Sequence, residues 1–299
     1  MAGSFTAVDL SQLAAPDVVE TLDFETILAA MVADLQSRDP AFTALVESDP
    51  AYKILEVAAY RETLIRQRVN DATQAVMLAY AGGADLDQIA ANYNVERLVL
   101  DPGDPDAIPP VAPTLESDAD LRRRVQLSFE GFSTAGPVGA YVFHALGADP
   151  DVLDVAVDSP APGEVVVTIL SRDGDGTASA ELLAAVDAVL SSDDVRPLTD
   201  DVTVQAATIV EYAVTAVLTV LPGPDGAVVL AQAEAALAAY IAQTQRLGRD
   251  VTRSGIFAAL HQPGVQNVTL TAPAADIVIA ADEASFCTAT DVTVGGVDE

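Results

Sequence analysis

A long segment between Asp49 and Ala81 contains neither proline nor glycine after Pro50, and its apolar residues recur at intervals of three and four. This spacing is typical of a helix that packs against another helix. Asp49 can cap the first turn, and Pro50 suits the first helical position, where a missing N–H is tolerated. The pattern predicts one helix over 51–81, roughly 45 Å long at 1.5 Å per residue, which stops at the Gly82–Gly83 pair.

The apolar seam of this predicted helix is a candidate contact surface. Glu62 interrupts the seam and can reach Arg66 one turn further on. On pattern alone, an ordinary core helix and a helix that packs against another subunit fit the seam equally well. The seam comprises Leu55, Ala58, Ile65, Val69, Ala72, Val76 and Ala79. The residues predicted to form a partner interface are Leu55, Ile65, Val69, Val76, Arg61, Arg66 and Arg68.

The charge of the chain argues against several classes of partner. It has 45 acidic and 14 basic residues, a net charge of −31 at pH 7, and no basic residue after Arg253. Such a surface repels nucleic acid phosphates and anionic membranes, so direct binding to nucleic acid is not expected. We interpret the Arg122–Arg124 triplet as a solvated helix start that pairs with Glu116, Asp118 and Asp120.

We also expect no signal peptide and no membrane insertion. The first 20 residues lack a positive region and an apolar stretch of signal length. No run approaches the roughly 20 apolar residues that are needed to cross a bilayer. The chain is therefore expected to be soluble and made in the cytoplasm.

The order of the patterns predicts an α+β protein. An N-terminal helical region is followed by two related small α/β-sandwich-like units joined by Pro-rich linkers. The predicted division is 1–98 for an N-terminal arm and helical assembly region, 99–135 for a Pro-rich linker and connecting helix, 136–207 for the first α+β unit and 208–299 for the second. Within 99–135, residues 100–118 are expected to form an extended loop without regular structure.

A short internal match supports the relation between the two α+β units. Val152–Pro160 and Val265–Pro273 agree at their apolar positions and at the closing proline, and each follows a short predicted helix. In the second unit we predict a helix over 228–247 capped by Gly248. Strands are predicted over 212–221, 265–271, 276–280 and 291–294.

The sequence contains no recognisable catalytic or metal-binding pattern. His144 and His261 lie near the ends of short predicted helices and are interpreted as structural. The Asp173–Gly176 stretch lacks the remaining ligands of a calcium loop, so we interpret it as a turn before a helix that begins at Thr177. The single cysteine, Cys287, is interpreted as a buried apolar residue in a strand. We predict no enzymatic activity, no cofactor and no metal.

Six segments in this order and spacing resemble the baseplate assembly protein J (baseplate J-like) family over nearly the whole chain. They are ESDPAYKILEVAAYRETLIRQRVNDA at 47–72, GADLDQIAANYNVERL at 83–98, LESDADLRRRVQLSFEGFSTAGPVGAYVFHAL at 115–146, ILSRDGDGT at 169–177, VRPLTDDVTVQAA at 195–207 and RLGRDVTRSGIFAALHQPGVQNVTL at 246–270.

The resemblance implies a non-catalytic component of the baseplate wedge in a contractile phage tail. It implies pairing with a second copy of the chain and with a partner wedge protein (baseplate protein I-like). Further implied partners are a sheath-initiating wedge protein and the hub and spike proteins, within a ring of six wedges that rearranges when the tail fires. A tailocin or another contractile injection particle fits equally well. An unrecognised enzyme and an acidic surface-binding module are the alternatives from other classes.

Overall fold

The structure, a computed structural model, describes residues 8–10, 13–14, 16–42, 45–133, 136–223 and 225–298. It divides into two compact units. The helical unit comprises Ala7–Arg97 and Ser117–Val125, and the sheet unit comprises chiefly Leu98–Glu116 and Gln126–Glu299. Part of the predicted N-terminal arm, including residues 1–7, lies outside the described residues.

The helical unit is built from α1 (Phe24–Arg38), α2 (Pro50–Ala75), α3 (Gly83–Ala91) and the greater part of α4 (Asp118–Leu127). The predicted cap at Asp49 is confirmed, and a second cap is found at Ser117. The Asp49 carboxylate accepts the amide N–H of Ala51, with Pro50 in the first turn, and the Ser117 hydroxyl accepts that of Asp120. α1 packs along α2 through a small core of Ile27, Leu28 and Ala59.

The prediction of one helix as far as residue 81 is wrong. α2 ends at Ala75, and a turn leads to α3, which starts at Gly83. A side chain distant in the sequence stabilises this turn. The Arg122 guanidinium donates to the carbonyls of Leu78 and Ala81 at 2.7 Å each. These carbonyls therefore have hydrogen-bond partners outside a helix. Gly82 is the N-cap of α3, so the glycine pair begins a helix and does not end one.

The interpretation of the arginine triplet as a solvated helix start is also wrong. Arg124 is buried and donates to the carbonyl of Glu96 at 3.0 Å. Arg122 and Arg124 thus donate guanidinium hydrogen bonds to backbone carbonyls inside the helical unit. These arginines are structural because guanidinium groups carry several donors that can reach separate acceptors.

A different arginine, Arg97, forms the ion pairs at this end of the helical unit. It contacts Asp87 and Asp118 at 2.7 Å each, and its side chain is largely buried. The Asp118 carboxylate also accepts the amide N–H of Gly83, at 3.1 Å to its nearer oxygen. The Gly83 amide, followed by Arg97, lowers the pKa of Asp118 below its ordinary value. One carboxylate thus joins the start of α3 to the start of α4.

In the sheet unit, the segment expected to be irregular forms a hairpin instead. β1 (Val99–Asp101) pairs antiparallel with β2 (Thr114–Leu115). Beyond them, Asp104 and Val111 exchange both backbone hydrogen bonds, at 2.8 and 3.0 Å. The prolines occupy positions outside the paired residues or at the apex, where no ladder N–H is needed.

The next part of the sheet unit comprises α5 (Val138–Ala148), β3 (Val152–Asp158), β4 (Glu164–Ser171), α6 (Ala180–Leu190) and β5 (Asp201–Ala206). The strand order is β3-β4-β5, with β3 antiparallel and β5 parallel to β4. α6 begins after the Ser179 cap, so the predicted helix start at Thr177 is three residues early.

The last part comprises β6 (Thr208–Val220), α7 (Gly226–Thr244), α8 (Arg253–Leu260), β7 (Val265–Ala272) and β8 (Glu283–Val297). The strand order is β7-β6-β8, with β7 antiparallel and β8 parallel to β6. Three predictions need correction here. α7 ends before residue 247 and is not capped by Gly248, residues 276–280 form only an isolated bridge from Ile277 to Val251, and β8 has 15 residues where four were predicted.

The two sheets share one arrangement. In each, a strand that follows a short helix, β3 or β7, lies antiparallel to the central strand, and a parallel strand, β5 or β8, lies on the other side. The chain order differs, because the central strand β6 precedes its neighbours whereas β4 lies between β3 and β5 along the chain. The predicted α+β class with two related units is therefore confirmed. The units are related by the spatial arrangement of their strands, whereas the order of these strands along the chain differs.

One helix corrects the expectation about membrane-length segments. α7 is long and apolar enough to cross a membrane by length and composition. Its sequence is rich in alanine and contains no long run of large apolar residues, so the sequence pattern did not indicate a helix of membrane length. In the structure Val229, Ala233 and Leu237 are buried in a core shared with β6 and α8. Only 17% of this apolar stretch is buried, so α7 covers the sheet with one face and leaves the rest of its surface exposed.

A small junction joins the two sheets within the sheet unit. Leu170, Ala207 and Ala284 form a buried cluster there. Beside it the buried Asp154 carboxylate accepts the amide N–H of Leu247 at 3.0 Å. The Arg246 guanidinium donates to the Leu153 carbonyl at 2.8 Å. The two sheets are thus held by hydrogen bonds as well as by their shared chain.

Candidate interaction surface

The two long faces of α2 have different surroundings. One face carries Tyr52, Leu55 and Ala59, which pack against α1. The opposite face carries exposed apolar side chains at intervals of three, four and seven residues, which places them along one side of a helix. We call this set the outer stripe of α2, and it consists of Ile54, Val57, Leu64, Ile65 and Val69.

Exposure on this scale is unusual for large apolar side chains in a row. Ile54 is 69% exposed, Ile65 66% and Val69 55%. Single exposed apolar residues are common, but a contiguous set on one helix face is typical of an interaction site. Val76, just beyond the end of α2, is also exposed, at 74%.

Two arginines lie within the outer stripe. Arg61 and Arg68 follow Ile54 and Leu64 by seven and four residues, on the same side of α2, and both are exposed. Neither forms an ion pair within the part of the chain that the structure describes. In a chain with a net charge of −31, this places positive charge at the centre of an apolar strip.

Arg66 has a different role from the other two arginines. Its guanidinium contacts Glu62 at 2.7 Å, as predicted, and Glu20 at 3.1 Å. The nearby buried Asn70 amide donates to the Glu20 carbonyl at 2.8 Å, and its oxygen accepts the Glu20 N–H at 3.1 Å. Arg66 and Asn70 therefore fix the segment before α1 onto α2.

The predicted interface residues are thus divided between surfaces. Ile65, Val69, Arg61 and Arg68 lie together on the outward side of α2. Leu55 packs against α1, Arg66 is engaged with Glu62 and Glu20, and Val76 lies past the helix end. The sequence-based prediction did not include Ile54, Val57 and Leu64. Their helical spacing from Arg61 and Arg68 places them on the same side of α2 and could have indicated them.

The histidines, the cysteine and the Asp173–Gly176 stretch have structural surroundings that differ from one to the next: His144 and Cys287 are half-buried, whereas His261 and Asp173 are exposed. Burial lowers the pKa of His144, and His261 is the C-cap of α8. Cys287 is half-buried rather than fully buried, and burial raises the pKa of its thiol, which disfavours the nucleophilic thiolate. The Asp173–Gly176 stretch forms a turn in which Asp175 accepts the Thr177 N–H. No group of three or more His, Cys, Asp or Glu side chains suited to a metal ion occurs among the described residues.

Comparison with known proteins places this architecture in a family. Three family models match successive parts of the chain: the baseplate J-like N-terminal domain over residues 47–104, the central domain over 133–206 and the C-terminal domain over 212–295. The chain belongs to the baseplate J-like family. Baseplate protein J of Escherichia phage P2 is 52% identical over 299 residues, which is 98% of this chain and 99% of that protein.

Membership gives this baseplate J-like chain a structural role in a phage tail baseplate. Among solved structures, a chain in the 6-fold symmetrised cryo-EM structure of the anti-feeding prophage baseplate aligns with a TM-score of 0.41 and 16% identity. The alignment covers 60% of this chain and 43% of that one. The N-terminal family model begins just before α2 and includes the whole outer stripe.

Proposed function

We propose that this chain is a non-catalytic component of the baseplate wedge of a contractile phage tail. It forms part of the ring around the hub and transmits baseplate rearrangement to sheath contraction. Family membership and the relation to Baseplate protein J of phage P2 support the baseplate role. The outer stripe of α2 is the observation that carries the assembly role, because its exposed apolar residues require a partner to become buried.

The proposed partners follow from the family resemblance and the charge. They are a second copy of the chain, a partner wedge protein (baseplate protein I-like), a sheath-initiating wedge protein, and the hub and spike proteins. Arg61 and Arg68 favour an acidic surface opposite the outer stripe, and a second copy of this acidic chain meets that requirement. Direct contact with nucleic acid and insertion into membranes are not part of the proposal.

A tailocin or another contractile injection particle is the alternative setting. The same wedge role applies there, so the chain's own surfaces do not separate the two. Electron microscopy of particles made with and without this chain distinguishes them, because an infectious phage carries a filled head. An enzyme or an acidic surface-binding module lacks a supporting constellation among the described residues.

The assembly role is tested by particle complementation with Ile65→Asp. The substitution places a charge at the centre of the outer stripe, so we expect baseplates to lack the chain and tails to be absent. Val278→Asp is the matched control, since Val278 is 76% exposed but lies in the sheet unit. Normal tails with Ile65→Asp would show that the outer stripe does not mediate assembly.

A further inference from the structure

The free edge of β8 is a second surface that can bind another chain, because its outward backbone groups are not paired with a neighbouring strand among the described residues. β8 has 15 residues and pairs with β6 along one side only. Its other side is covered at the start, where Gly248 donates to the Glu283 carbonyl at 3.0 Å and Leu247 bridges to Ala284. From residue 286 to 297 no strand lies against that side within the part of the chain that the structure describes.

The register identifies which backbone groups face outward. The Asp282 carbonyl and the Asp298 N–H both bond to β6, and alternate residues of a parallel strand point to opposite sides. Two register shifts, near Thr288 and Gly295, each insert one extra residue into β8 and therefore exchange the residues that face β6 with those that face outward. Between them, the N–H and C=O groups of Thr290, Val292 and Val294 point away from β6.

Apart from the two register shifts near Thr288 and Gly295, this edge lacks the usual protection against strand addition. Natural edge strands are shortened, or carry proline or lysine, to prevent pairing with other chains. From Phe286 to Val297 the strand has no proline, no lysine or arginine, and one charged residue, Asp291. β7, the opposite edge, has eight residues and stops at Pro273. The straight stretch Ala289–Val294 is therefore the more receptive edge of this sheet.

The charges near β8 favour a basic segment as the strand that binds this edge. No basic residue follows Arg253, and the acidic residues Asp282, Glu283 and Asp298 lie at the two ends of β8 and form its acidic flanks. An antiparallel second copy centred on Val292 would bring two Asp291 side chains to roughly 7–8 Å on one face, and β8 has no basic residue to offset them. A segment with lysine or arginine beside β-branched residues avoids that repulsion and pairs with the acidic flanks.

We propose that the free edge of β8 over Ala289–Val294 binds an extended, basic segment of a different protein as an additional strand. Main-chain hydrogen bonds supply the affinity, and the acidic flanks supply the preference for positive charge. This interface is separate from the outer stripe of α2, so the failure of one proposal leaves the other standing.

The test uses the full-length chain and a fluorescein-labelled nine-residue peptide of alternating threonine and valine with a lysine at each end. We expect saturable binding by anisotropy at low salt, and weaker binding of the same peptide with glutamate at each end. Thr290→Pro removes one outward N–H, whereas Thr290→Ala keeps it. The proline variant should lose about tenfold in affinity and the alanine variant little.

Amide hydrogen exchange on the unsubstituted chain provides a readout that does not depend on a variant folding. On peptide binding, exchange at Thr290, Val292 and Val294 should slow while exchange along β7 stays unchanged. Protection of β7 alone, no protection, or equal affinity for the glutamate peptide would overturn the proposal. Self-association of the chain that Thr290→Pro abolishes would also overturn it, because a second copy would then occupy this edge.

Discussion

Several charged side chains of this acidic chain form hydrogen bonds to backbone groups or to each other. Asp118 accepts from the Gly83 amide and from Arg97, and Asp154 accepts from the Leu247 amide. Arg122 and Arg124 donate to carbonyls. Hydrogen bonds to charged groups contribute more than neutral ones, and their loss leaves a buried partner unsatisfied.

Asp118→Asn should destabilise the helical unit at neutral pH. The pKa of Asp118 is lowered in the folded chain from its ordinary value of 3.8. Its carboxylate therefore stabilises the fold above about pH 3.8, and this contribution is lost as the pH falls through the lowered value. We expect a loss of about 1 kcal/mol at pH 7, because the side chain is 42% exposed.

Thermal melting of Asp118→Asn and the unsubstituted chain between pH 7 and pH 2.5 checks this. The melting temperatures should converge as the pH falls below 3.8. A constant difference across the whole range would show that the carboxylate charge does not supply the effect. Asp120→Asn, in the same turn of α4, controls for the change in net charge.

Asp154→Ala should weaken the junction between the two sheets. Asp154 is 5% exposed, so its removal leaves the Leu247 N–H without its acceptor, at a cost of about 1–3 kcal/mol. Denaturant unfolding gives the free energy, and amide exchange at Leu247 should accelerate. Asp158→Ala, on the exposed end of the same strand, should change neither quantity.

Among the secondary-structure elements, α2 has one face that is buried against α1 and one that is exposed. Ala59 is 0% exposed against α1, whereas Ile65 is 66% exposed. A helix whose outward face is as apolar as its inward one gives an ambiguous periodic pattern, because either face satisfies the helical period. Only the position of α1 shows which face is already covered.

Ile65→Asp should therefore leave the isolated chain folded, with a change in the free energy of unfolding within about 0.5 kcal/mol. Ala59→Asp places a charge in the α1–α2 core and should unfold the helical unit. Circular dichroism with denaturant titration separates the two variants. Unfolding of the helical unit by Ile65→Asp would assign the outer stripe to internal packing.

At the scale of the whole molecule, 45 acidic residues against 14 basic ones produce mutual repulsion at neutral pH. Ionic strength screens it, with a Debye length of about 8 Å at 0.15 M and about 3 Å at 1 M. Stability and assembly should therefore both rise with salt, and assembly more steeply, because association brings like charges closer.

Melting temperature and sedimentation at low and high salt measure these two responses. Unchanged values would mean that the acidic groups are too widely spaced to repel strongly. Weaker association at high salt would instead point to interfaces held by arginines, with Arg61 and Arg68 the first to substitute by glutamine.

Features that depend on neighbouring residues could be predicted from the sequence. The Asp49–Pro50 helix start, the Glu62–Arg66 pair and most of the helices and strands follow from spacing and capping over a few positions. The α+β class and the family resemblance follow from the order of such local patterns. Local hydrogen bonding and hydrophobic periodicity suffice for these.

Features that depend on residues far apart in the chain could not be predicted in this way. α2 ends at Ala75 because Arg122, more than 40 positions away, bonds to the carbonyls that follow. β8 extends to 15 residues because β6 provides a partner along its whole length, a pairing that no local pattern in a threonine- and glycine-rich segment indicates. The outer stripe of α2 and the free edge of β8 are likewise defined by what the rest of the fold leaves uncovered.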